Sequence, residues 1–171
     1  MKSFATALVA VVALVASTSV HAFAPSRMGA ACRPSTSLTS HFSTISTKLY
    51  NKEQLLKALK AMNIPSIKTS VDEKIQARGY KGDTLAADIV IPQANNYDVA
   101  FVHNGETYEL VADLQFWQQS MPVDAFMEQV HQKYAFHTLV DVSAQDGFNL
   151  EKVTQSADGA ITLTMSRYNM N

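Results

Sequence analysis

The sequence predicts an α+β fold, an antiparallel sheet with two helices on one of its faces. Three observations lead there. Short segments rich in β-branched residues alternate in character from His41 onward, which is the period of a strand. Two stretches, around Leu55–Leu59 and Phe126–Val130, carry apolar residues at helical spacing instead. Between two of the alternating runs stands Asn104-Gly105, the preferred pair for a two-residue hairpin turn. The resulting order of strand, helix, several strands, helix and strands fits a sheet with both helices on one side. That arrangement leaves the other sheet face open to a partner. The order can also be divided into two tandem β-α-β-β units, since each helix is followed by two strands.

His41 to Leu49 reads as the first strand. Asn51 can cap a helix, and Gln54, three residues on, can reach back to complete a capping box. Leu55, Leu56, Leu59 and Met62 form its buried stripe, and Asn63 with Pro65 stops it. Strands come next near Ile67–Val71 and Ile75–Tyr80, and the turn Gly79-Tyr80-Lys81-Gly82-Asp83 leads into a strand over Leu85–Ile91. The hairpin Tyr97–His103 and Glu106–Ala112 is expected to set Phe101 opposite Tyr108 and Val99 opposite Leu110. Pro122 opens the second helix, whose stripe is Val123, Phe126, Met127, Val130 and Tyr134. Leu139–Val142 reads as a strand, and a last hairpin turns at Asp158-Gly159 and ends in Ile161–Met165.

Ahead of these elements lies a segment of different composition. Lys2 precedes the apolar run Ala5–Ala16, and Ala22 offers a small residue for signal cleavage. The run is shorter than the roughly 20 residues needed to span a bilayer. The stretch after Ala22 is rich in Ser, Thr, Ala and Arg and has no acid before Glu53. The expected division is therefore a signal peptide over 1–22, a transit peptide over 23–39 and a single domain over 40–171. The bland alternative, a buried N-terminal helix, does not explain the acid-free stretch. The joint His21-Ala22-Phe23-Ala24-Pro25 resembles the bipartite plastid presequence of diatoms and related algae, in which a phenylalanine comes just after the signal cleavage point. That resemblance implies a nucleus-encoded protein of the plastid stroma, with Phe23 read at import and Ala22, Ala24 and Pro25 as its setting.

Setting that segment aside changes the composition. The 14 basic residues lose Lys2, Arg27 and Arg33, leaving 11 against 15 acids, a net charge of −4. An acidic balance disfavours phosphate-backbone binding, which is largely electrostatic, so no DNA partner is expected. The one cysteine, Cys32, falls in the presequence, which removes disulfides, thiolate metal sites and cysteine nucleophiles from the domain. No transmembrane segment is expected in the mature chain.

Several runs then carry a family resemblance. They are Ser40–Ile45, Arg78-Gly79-Tyr80-Lys81-Gly82, Tyr97–Gly105, Tyr108–Trp117 and Lys133–Thr138. Together they resemble the conserved hypothetical chloroplast reading frame thirty-five family, a domain of unknown function found in cyanobacteria and algal plastids, across residues 40–171. The resemblance implies a phototroph's plastid protein. It implies no catalytic residue, and the presequence departs from members encoded in plastids.

Candidate sites rest on chemistry alone. Asp113, Gln115 and Trp117 would share one face of a continuing strand, either as a partner-binding patch anchored by the tryptophan or as a strand end with the tryptophan packed on the second helix. Tyr134 and His137 could line a polar pocket where that helix ends, although Tyr134 also continues the apolar stripe. Arg78, Tyr80 and Lys81 bracket a glycine turn whose spacing is wrong for a phosphate-cradling loop; a tight turn is the favoured reading, with Arg78 and Tyr80 as a binding site the lesser alternative. His131 and His137 lack the spacing of a helical metal pair, so no metal or other cofactor is expected. His103, beside the hairpin turn and across from Glu106, reads as an exposed pair.

Three functions stand open. The first is a non-catalytic binding or assembly factor with a protein partner, serving the photosynthetic apparatus. The second is a small enzyme or ligand-binding domain using Tyr134, His137 and Asp113. The third is an RNA-binding module, which the charge balance disfavours.

Overall fold

A computed structural model describes residues 42–157 and 159–167. The presequence positions Ala22, Phe23, Ala24 and Pro25, with Cys32, His41 and Asp158, lie outside these residues. The elements are β1 (Ser43–Leu49), α1 (Lys52–Ala61), β2 (Lys68–Thr69), β3 (Ile75–Arg78), β4 (Thr84–Ala87), β5 (Ile89–Ile91), β6 (Val99–His103), β7 (Tyr108–Ala112), α2 (Val123–Gln145), β8 (Asn149–Gln155) and β9 (Ile161–Ser166). An antiparallel five-stranded sheet runs in the order β1-β7-β6-β5-β2, and β3-β4 and β8-β9 form separate hairpins. The fold is α+β, as the sequence predicts.

One face of the sheet, through Ile89, Ile91, Val99, Phe101 and Leu110, packs on both helices. Leu55 and Leu59 meet it from α1, and Phe126, Met127 and Val130 from α2. Alternation along each strand puts these residues on the same side. The opposite face is not open. Val90 and Ala100 meet Ala77 and Ala87 of the β3-β4 hairpin, with Ile75, Leu85 and Val102 around them. The small alanines let the hairpin lie close, so a docking surface on the bare sheet is corrected to a covered core.

One expected strand divides into two. Leu85–Ile91 breaks at Asp88, where β4 leaves the covering hairpin and β5 enters the main sheet. Asp88 takes up the polar groups that the switch frees: its N–H donates to Phe101 O (3.0 Å) and its carboxylate accepts from His103 N (2.8 Å). The Asn104-Gly105 hairpin also differs. Phe101 pairs with Leu110 and His103 with Tyr108, two residues from the expected register, so each side chain keeps its face. The turn is wider because Asn104 Oδ1 accepts from both Glu106 N (3.0 Å) and Thr107 N (2.8 Å). This local competition favours an Asx turn over a type I′ turn. His103 faces Tyr108 rather than Glu106, with ring centroids 4.8 Å apart.

Asn51 caps α1 through its side chain, accepting from Glu53 N and Gln54 N. The reciprocal half of the box is missing, because Gln54 Nε2 donates to Asp141 of α2 instead (2.7 Å). Pro122 is the residue before the first turn of α2. That helix continues through Leu139–Val142, where a strand was expected, and ends at Gln145. Its stop is Gly147 in the left-handed region (φ 78°). There Gly147 N bonds Ala144 O and Phe148 N bonds Ser143 O, a Schellman closure that needs glycine at that position.

Candidate functional site

The turn between β3 and β4 is built on a buried carboxylate. Asp98 is 3% exposed and accepts from Arg78 three times: from its backbone N–H (3.0 Å), Nε (3.0 Å) and Nη2 (2.8 Å). Arg78 Nη1 extends the network to Asn96 Oδ1 (2.5 Å). Burial alone would raise the Asp98 carboxyl, but the Arg78 hydrogen bonds and charge outweigh it and hold it below the usual carboxylate range. The same contact raises the Arg78 guanidinium further. Arg78 therefore acts first as a clamp that fixes the turn.

The turn presents an aromatic patch. Tyr80 stacks on Phe116 (5.4 Å, 13°), Phe116 stacks on Tyr97 (4.2 Å, 23°), and Tyr80 and Tyr97 stand 6.2 Å apart. All three residues are half-buried. Lys81 Nζ lies 5.2 Å from the centre of the Tyr80 ring, within cation–π range. Asn95 Nδ2 donates to Phe116 O (2.6 Å) and so ties the patch to the loop before β6. Gly79 lets the Phe42 ring lie close: a Cβ there would fall 2.4 Å from its Cζ, so the ring would have to shift.

The residues after β7 do not continue as a strand. Leu114–Phe116 forms a 3-10 turn, with Asp113 Oδ1 accepting from Gln115 N (3.1 Å). The common face expected for Asp113, Gln115 and Trp117 is therefore not formed. Asp113 is buried in the cap, Gln115 is exposed, and Trp117 turns inward. Its Nε1 donates to Met121 O (2.8 Å), and its ring meets Phe126 edge-on at 5.3 Å. The tryptophan thus packs on the second helix, and Phe116 takes the outward position. An acidic cap ahead of a three-residue turn is the signal in the sequence that could have shown this.

Apart from the aromatic patch, a groove of about 840 Å³ lies between β1 and α2. Tyr134 lines it, and neither His137 nor Asp113 does. The Tyr134 hydroxyl accepts from Tyr50 N (3.1 Å) and Asn51 N (3.0 Å), fastening the start of α1 to α2. His137 stands in the middle of α2 rather than at its end. Desolvation, with Lys57 and Lys133 beside it, lowers its pKa against the opposing pull of Asp141. Asp141 is held low by hydrogen bonds from Gln54 and Lys57. Among the described residues, no group of three His, Cys, Asp or Glu side chains could hold a metal. No helix among them is long and apolar enough to cross a membrane.

Residues 58–164 match the family described as Protein of unknown function (DUF1257). The chain is 43% identical over 129 residues to the uncharacterized protein ycf35 of Guillardia theta, covering 75% of this chain and 98% of that relative. Against the uncharacterized protein ycf35 of Cyanophora paradoxa the identity is 35% over the same length and coverage. With that of Trieres chinensis it is 34% over 123 residues, 72% of this chain and 94% of the relative. No solved structure matches. The resemblance carried by the Arg78–Gly82, Tyr97–Gly105 and Tyr108–Trp117 runs is borne out: the chain belongs to the ycf35 family.

Proposed function

We propose that the protein is a non-catalytic binding module of the plastid stroma that docks a protein partner through the Tyr80, Tyr97 and Phe116 patch and serves assembly of the photosynthetic apparatus. The single observation behind this reading is the stack of three half-buried rings, two of which, Tyr80 and Tyr97, stand beside the Arg78–Asp98 clamp in the chain. Rigid aromatic surface is a common anchor of protein interfaces. Lys81 at its edge suits a partner that sets an acidic residue beside an apolar one. Plastid residence is supported by the algal relatives and by the Ala22-Phe23-Ala24-Pro25 joint. Import from the cytosol, with residues 1–39 removed in two steps, is part of the same proposal.

The test is paired affinity capture from plastids with wild-type protein and Phe116→Ala, each checked for folding by circular dichroism. The reading requires a protein that wild type captures reproducibly and folded Phe116→Ala does not. Equal capture by both would sink the patch as the docking surface.

A further inference from the structure

The groove between β1 and α2 is separate from the aromatic patch, and its chemistry changes along its length. Its volume of about 840 Å³ lies within the range of about 300–1,000 Å³ common for small-molecule sites. Lys48 and His131 line one end, close enough for the lysine charge to act on the imidazole. Eight and eleven residues along α2, roughly 12 and 16 Å at helical rise, Leu139 and Val142 line the other end. Val142 is 49% exposed, a large apolar side chain left facing solvent. Between the ends lie Ala135 and Thr138, whose buried Oγ1 has no hydrogen-bond partner. No carboxylate among the described residues lines the groove.

One lysine ammonium, beside an imidazole that burial and the lysine charge keep neutral but able to donate a hydrogen bond, at one end of an apolar channel complements a ligand with one anionic head and a hydrocarbon body. A peptide strand added along β1 fits less well. The pairing of β1 with β7 is irregular between Ile45 and Leu49, and Thr47 turns its hydroxyl onto Tyr108 O. Such an interruption is how sheet edges discourage added strands. We propose that the groove binds a free single-chain amphipathic carboxylate of the fatty-acid class, with its head at Lys48 and His131 and its chain along Ala135, Leu139 and Val142.

The test titrates full-length protein with palmitate by calorimetry and, in parallel, with hexadecanol and with phosphatidylglycerol vesicles. Saturable palmitate binding is expected below about 10 µM, with hexadecanol at least about tenfold weaker because it lacks the charged head. Leu139→Asp should weaken palmitate binding by more than about tenfold, since the carboxylate must be desolvated against the chain. Lys48→Gln should narrow the difference between palmitate and hexadecanol, and Phe116→Ala should bind palmitate like wild type. If Leu139→Asp does not fold, amide shifts of wild-type protein on adding palmitate decide instead, and they must map to β1 and to residues 131–142. Absence of saturable binding, equal affinity for the alcohol, binding to vesicles alone, or shifts centred elsewhere would each overturn the proposal.

Discussion

Asp98 receives every one of its three Arg78 hydrogen bonds from a residue twenty positions earlier, so β3 is fastened to the entry of β6 by one buried carboxylate. This junction carries the aromatic patch and also has a pH signature. The folded-state pKa of Asp98 lies below the unfolded value of about 3.9. Its stabilising contribution is therefore fully present above that value and is lost as pH falls through the lower, folded-state pKa. Asp98→Asn should cost about 2 kcal/mol at neutral pH and show a smaller loss of stability on acidification than wild type. Urea unfolding at pH 7 and at about pH 3.5 measures both.

Gly79→Ala should destabilise the fold by about 1–3 kcal/mol, because the new Cβ collides with the Phe42 ring. The backbone at Gly79 is extended (φ −117°), so the cost is steric rather than conformational. Combining it with Phe42→Ala should recover much of the loss. A double-mutant cycle in urea checks this, and additive costs would refute the collision.

Tyr134→Phe removes the oxygen that accepts from Tyr50 N and Asn51 N. The ring remains, so packing is preserved. The expected cost is about 1 kcal/mol, with faster amide exchange at Tyr50 and Asn51 and little change at Leu110. Exchange followed by NMR separates this local loosening from general destabilisation.

Phe116→Ala and Trp117→Ala should differ in kind. Trp117 packs on Phe126 and donates to Met121 O, so its truncation should cost about 3 kcal/mol. Phe116 stands in the half-buried stack, and its truncation should cost less while weakening partner capture. Thermal melts of the two variants side by side give the comparison.

The sequence is most readable where a local pattern and the tertiary structure agree. The α1 cap at Asn51, the stripe through Leu55 and Leu59, and the face shared by Val99 and Phe101 come from spacing alone. It is least readable where long-range packing chooses between two local options. Leu139–Val142 is apolar and short like a strand, yet the helix has no stop before Gly147. The Leu85–Ile91 run is nearly continuous in hydropathy, but Asp88 is needed to bond His103 N and Phe101 O across the sheet. In the candidate site, Arg78 and Tyr80 are legible as neighbours of a turn. Asp98 and Phe116 are not, because their importance depends on residues distant in sequence.

The way β1 is held has a consequence for the order of assembly. Among the described residues, Ser43 finds its partner only at Ala112, and β1 has no neighbour in the sheet except β7. The first strand of the domain must therefore wait, unpaired, until the seventh has formed, and closing so long a loop is slow. Once docked, β1 is held more firmly than the other outer strand, β2, since Leu49 is fully buried and four of its residues pair with β7 against two between β2 and β5. The irregular span between Ile45 and Leu49 should therefore be where the wall that β1 gives the groove opens most easily, giving a bulky occupant a way in without unfolding the sheet.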